Sequence, residues 1–209
     1  MDTTDIRTEM DRVRADFREL VDSATVRDLR GPTNGTKWTN EQLLFHMVFG
    51  YLLVRNLLVL VRGFSRLPDE ASRRFAVTLN AGTRPFHSIN YVGSLGGIRV
   101  LGYARTERLM DRTIRTLQTS LDHSSDAELH RSMHFPVGWD PYFEDVMTIR
   151  DVYHYPTQHY DHHRRQLHPP PHRRRRLSRP SQQGTATARR RPTPDAEAPR
   201  DRLSGRPPA

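Results

Sequence analysis

The stretch that decides the fold is Thr148-Ile149-Arg150-Asp151-Val152-Tyr153-His154-Tyr155-Pro156-Thr157-Gln158-His159-Tyr160-Asp161-His162-His163-Arg164-Arg165-Gln166-Leu167. Thr148 with Asp151 three residues on makes a capping box, and Met147 and Val152 make its hydrophobic staple. Ile149, Val152, Pro156, His159, His163 and Leu167 then recur at steps of three and four, which is one face of a helix. Two histidines therefore stand on the stripe that should meet a core. At i, i+4 their Cβ atoms are about 5–6 Å apart, a distance that one metal ion can bridge. Pro156 removes the amide that would bond the Val152 carbonyl, which predicts a bend near 152–156 that aims His159.

Working outward, the chain reads as three more long helices. Ile6, Met10, Val13, Phe17 and Leu20 form one apolar stripe, at the seam spacing of bundled helices. A loop over 28–35 follows, punctuated by Gly31-Pro32 and Asn34-Gly35. Thr39 with Gln42 caps the second helix, Trp38 and Leu43 staple it, and it runs to about Val61-Arg62, with Gly63 able to end it. Leu43, His46, Gly50, Leu53 and Leu57 share one of its faces, so His46 also points inward. This helix is apolar enough to suggest a membrane span. His46, Arg55 and Asn56 interrupt it, a central Arg costs about 3 kcal/mol on insertion, and the neighbouring helices are amphipathic. The expectation is a buried bundle helix and no membrane span.

Pro68-Asp69-Glu70 opens a short helix to about Leu79 with Pro at its first position, and Pro85 to Leu95 reads as a further helical piece between glycine breaks. This long connection between helices two and three is expected to cover one end of the bundle. The third long helix is expected over Ile98–Leu121, with Ile98, Leu101, Arg105, Leu109, Ile114, Leu117 and Leu121 as an imperfect stripe. A loop region over 124–147 holds Pro136, Gly138 and Pro141, with a short helix at 126–131.

The 209 residues carry a formal charge of +9 and no cysteine. The charge is not spread evenly: residues 169–209 hold 11 of the 33 basic and 3 of the 24 acidic residues, and 9 of the 15 prolines. The bundle segment, 1–168, is thus near neutral, and the basic balance is no signature of a specific nucleic-acid partner. The segment 169–209 reads as a disordered Arg/Pro-rich tail. It would bind anionic surfaces non-specifically, or else reflect a shifted reading frame with no selected function. The absence of cysteine excludes a disulfide scaffold and a thiol nucleophile of the chain's own. The start Met1-Asp2-Thr3-Thr4-Asp5 has no signal-peptide pattern, so a cytoplasmic location is expected. Lys37 is the sole lysine, a bias that fits a GC-rich bacterial genome.

An inward His46 beside the inward pair His159 and His163 would make a three-histidine site with open coordination positions. Two readings compete. Six of the 11 histidines fall within 154–172, so an i, i+4 pair there arises cheaply, and a buried histidine is often a hydrogen-bonded core residue. Against that, burying three unpartnered imidazoles is costly. The zinc-protease pattern is absent, because Tyr160 stands where a glutamate base is needed. Asp161 falls on the outer face and should be solvated. Tyr153, Tyr160 and His162 could stand beside the ligands, the tyrosines otherwise being packing residues. Trp139-Asp140-Pro141 either rims a pocket or is a simple turn.

Trp38-Thr39 ahead of a helix carrying His46, followed by the run His159 to Leu167, resembles the DinB/YfiT-like superfamily. That resemblance spans roughly residues 4–167. It implies an all-α, up-down-down-up four-helix bundle and a divalent metal held by His46, His159 and His163, with His162 a neighbour and not a ligand. Pro156 and the long 64–97 connection depart from the family pattern. Imidazole ligands suit Zn, Ni, Fe or Mn. Several members of the superfamily are thiol S-transferases that use bacillithiol or mycothiol, and a GC-rich bacterium favours mycothiol. The implied function is a metal-dependent, mycothiol-type S-transferase acting on a small electrophile, with a small-molecule thiol as cosubstrate and room for a homodimer. The alternative is a non-catalytic metal-binding bundle in stress response or protein interaction.

Overall fold

A computed structural model describes residues 1–167; the segment read above as a tail lies outside the described residues. The described chain is all-α apart from one small hairpin: α1 (Thr3–Ser23), α2 (Val26–Arg30), α3 (Asn40–Phe64), α4 (Asp69–Ala81), α5 (Thr83–Leu101), α6 (Tyr103–Asp122), α7 (Asp126–Leu129), β1 (Ser132–His134), β2 (Val146–Thr148) and α8 (Ile149–Arg164). The four long helices α1, α3, α6 and α8 form the bundle. α3 packs on α8 and α6, and α1 packs on the same two from the other side.

The bundle helices bury apolar stripes, which on α3 and α6 are displaced from the ones their sequences write. α1 buries Ile6, Met10, Val13, Phe17 and Leu20, as its spacing predicts. On α3 the buried set includes Leu43, His46, Met47, Gly50, Tyr51, Val54, Leu58 and Val61, while Leu53 and Leu57 of the expected stripe are only half-buried. α3 is long and apolar enough to cross a membrane by length and composition. Here it is a core helix, touching α8, α5 and α6. α8 runs through the buried Pro156 without interruption. Thr148 is both the last residue of β2 and the cap of α8, its Oγ1 accepting from the Asp151 amide at 3.1 Å.

Four sequence expectations are corrected. The expected loop over 28–35 begins inside α2, which Thr25 and Asp28 cap reciprocally. The third long helix starts at Tyr103 and not at Ile98. Gly102 adopts φ 70°, which breaks the chain there, so Ile98 and Leu101 belong to α5. In consequence the buried stripe of α6 is Thr106, Met110, Thr113, Leu117 and Leu121 with Ile114 beside it, and Arg105 is exposed. Gly93, Gly96 and Gly97, read as breaks, lie inside α5. At Gly97 α5 lies close against α3: a Cβ there would stand 2.1 Å from the Phe45 ring. Pro68 is the residue before α4 and not its first position. The hairpin β1–β2, with Ser132 opposite Thr148, was not expected; strands of three residues are too short to show alternation.

The connection between the second and third bundle helices is therefore a helical hairpin. α4 packs on β1, and α5 packs on α3 and α6. His134 fastens α4 to the hairpin loop through Asp69 at 3.3 Å and Asp145 at 3.2 Å.

Candidate metal centre

Three imidazoles meet where α3 faces α8. His46 Nε2 lies 3.1 Å from His163 Nε2 and 3.2 Å from His159 Nε2. Ligand atoms of the three residues all fall within 4.8 Å of one another. Two nitrogens bound to one metal at about 2.1 Å are separated by about 3.0 Å in an octahedral site and about 3.4 Å in a tetrahedral one. The observed spacings fall between those values.

The outer nitrogens show which way two of the rings are protonated. His46 Nδ1 lies 3.1 Å from Asn90 Oδ1, and His163 Nδ1 lies 2.7 Å from Gln166 Oε1. Both partners are acceptors, so both Nδ1 atoms carry the proton and both Nε2 atoms present lone pairs. Two lone pairs facing each other at 3.1 Å repel unless a cation lies between them. The chemistry of the donor set therefore fits a divalent metal. The same Gln166 side chain donates from Nε2 to His162 Nε2 at 3.2 Å, and His162 Nδ1 contacts the Tyr142 hydroxyl. His162 thus stands beside the cluster and turns away from it.

Burial keeps the rings neutral. It pushes the His46 pKa down to about 3, with the neighbouring His163 adding to the effect. It lowers His163 to about 4 and holds His159 well below the ordinary imidazole value. Neutral imidazole is the metal-binding form. His159 has no tie on its outer side: Nδ1 is buried with no hydrogen-bond partner. That ring is placed by packing, against Gly50 and beside the Tyr155 ring.

The surroundings come from elements that the sequence pattern alone does not join. The Trp38 ring lies 4.3 Å from the His46 ring and stacks on Tyr91 of α5. Ser94 Oγ donates to the Asn90 carbonyl and sits 3.4 Å from His46 Nδ1. Trp139 donates to the Leu79 carbonyl and stacks on Phe86 at 3.9 Å. Its side chain also lines the small cavity beside His46 and His159. Asp140, on the same loop, is mostly buried and lies 3.8 Å from His159 Nε2. A cavity of about 10 Å³ is lined by His46, Gly50, Phe86, Asn90, Asp140 and His159, space for about one water molecule.

Two expected neighbours lie elsewhere. The Tyr153 hydroxyl donates to Ser120 and accepts from Arg62, toward α6. The Tyr160 hydroxyl donates to Asp16 of α1 at 2.6 Å, where Arg164 also binds. Both are one or two positions off the histidine stripe, so each faces a different neighbouring helix. Asp161 is not simply solvated, because Arg12 binds both of its oxygens. Asn90, Ser94 and Tyr142 carried no signal in the sequence, whereas Gly50 stood on the stripe of His46. Gln166 did: it closes the histidine-rich run and orients two of its rings.

A four-helix bundle with inward histidines on two facing helices defines a class of helical protein built to hold a metal in its core. The DinB superfamily model matches residues 9–167, and the chain belongs to that superfamily. No curated protein and no solved structure matches it.

Proposed function

We propose that the protein binds a divalent metal through His46, His159 and His163 and uses it in a thiol S-transfer to a small electrophile, with a mycothiol-type cosubstrate. The observation that carries this reading is the convergence of Nε2 atoms whose opposite nitrogens are tied as donors on His46 and His163. A metal on neutral imidazoles lowers the pKa of a bound thiol or water, creating a nucleophile at neutral pH. The chain has no cysteine, so a reacting thiol must come from a cosubstrate, and a thiol of this kind fits a reducing cytoplasm.

The second reading, a metal-binding bundle without catalysis, draws support from the lid over the site. Asn90 and Tyr91 of α5 press on His46 and Trp38, and the cavity beside the histidines is about 10 Å³. Asn90 and Tyr91 thus leave little room for a thiol on the α5 side of the cluster. Elemental analysis of protein purified without a His-tag, with His46→Ala in parallel, tests the metal. Titrating the Co(II)-loaded protein with low-molecular-weight thiols then separates the two functions. The transferase acquires sulfur-to-cobalt absorption, and the non-catalytic bundle does not.

A further inference from the structure

The loop that joins β1 to β2 brings one carboxylate close to His159. We propose that Asp140 is the fourth protein ligand of the metal, making the centre three histidines and one aspartate. This rests on the metal reading above and adds a residue to it.

The Asp140 side chain is 13% exposed and its Oδ2 lies 3.8 Å from His159 Nε2. No arginine or lysine pairs with it among the described residues; His159 is its only ion-pair partner there. A buried carboxylate without a cation is costly, and three neutral imidazoles cannot supply the missing charge. A divalent ion on those imidazoles can, and one carboxylate would cut the charge of the loaded centre to +1. The donor spacing in a tetrahedral site is about 3.4 Å, a few tenths of an ångström less than the distance seen.

The remaining contacts of Asp140 position the carboxylate while leaving lone pairs free. The Tyr142 amide donates to Oδ1 at 2.9 Å, and the Tyr155 hydroxyl donates to Oδ2 at 2.9 Å. Tyr155 is itself buried on α8, one turn before His159. The helix that carries two ligands therefore also fixes the loop that carries the fourth. Asp140, His46 and His159 all line the same small cavity.

The test uses the full chain, tag-free, stripped with chelator and titrated with Co(II). Asp140→Asn keeps the shape and the acceptor for the Tyr142 amide. It is expected to weaken Co(II) binding roughly 10–100-fold and to change the visible d–d absorption. Asp122→Asn, which alters a carboxylate paired with Arg7 away from the cluster, should retain the wild-type spectrum. Hyperfine-shifted β-methylene protons of a ligating aspartate should appear in the NMR spectrum of the wild-type Co(II) protein, whatever the stability of the variants. Unchanged affinity in Asp140→Asn, or weaker binding with an unchanged spectrum, overturns the assignment and leaves the three-histidine centre standing. Wild-type protein that takes up no Co(II) defeats the metal reading itself.

Discussion

A Cβ atom placed on Gly50 would stand 2.6 Å from Nδ1 of His159 and 2.9 Å from its Cε1. Glycine on α3 thus makes the room in which the α8 imidazole lies, and this ring is the one without a hydrogen bond on its outer nitrogen. Gly50→Ala should push His159 out of register with His46. Helix propensity favours alanine by about 1 kcal/mol, so the helix itself should persist. The expected result is a loss of metal affinity of roughly tenfold or more with unchanged helical circular dichroism. Competition with a chromophoric chelator measures it; wild-type affinity in this variant would show that the ring is not held by Gly50.

The lid makes a similar close approach at Gly97, whose Cβ would meet the Phe45 ring at 2.1 Å. Overpacking of this kind costs about 1–3 kcal/mol, so Gly97→Ala should lower the unfolding free energy by that amount. Phe45→Ala supplies space and should recover part of the loss in the double variant. Chemical denaturation of the four proteins gives the coupling. Additive effects would mean that α5 and α3 do not meet as described.

Much of this centre is legible in the sequence, and the reason is periodicity. The three- and four-residue steps of Ile149, Val152, His159 and His163, and of Leu43, His46 and Gly50, place the histidines on facing stripes without any tertiary information. The family resemblance then names the three as a ligand set. What periodicity does not reach is contact between elements far apart in the chain. Asn90 on His46 and Asp140 beside His159 depend on how the α4–α5 hairpin and the last loop fold back. Spacing also leaves Tyr153 and Tyr160 open, since each lies three and four residues from stripe positions, and only the packing of α6 and α1 shows that they face other helices. Gly102 is a different case: five glycines dot 82–102, and only its positive φ separates the real break from those inside α5.

Because Tyr160 faces α1, it should matter for stability and not for the metal. Its hydroxyl and the Arg164 guanidinium share Asp16. Tyr160→Phe leaves the carboxylate with the arginine alone, at an expected cost of about 1–2 kcal/mol. Metal content and affinity should match wild type. A fall in metal affinity with unchanged melting temperature would return Tyr160 to the site.

The neutral histidines give the metal-free protein a defined response to acid. Burial lowers the folded-state pKa of His46 to about 3 and of His163 to about 4, against an unfolded value of about 6.5. Between those limits the unfolded chain binds protons that the folded protein refuses, so stability is full above about pH 6.5 and falls as the pH drops. The slope is at most about 1.4 kcal/mol per pH unit for each such histidine. His46→Gln has no titrating group at that position and should lose about one such increment of slope between pH 6 and pH 4. Urea unfolding of chelator-stripped wild type and variant across that range measures the difference. Parallel stability profiles would show that His46 titrates normally in the fold, and the buried, neutral imidazole on which the metal site depends would have to be given up.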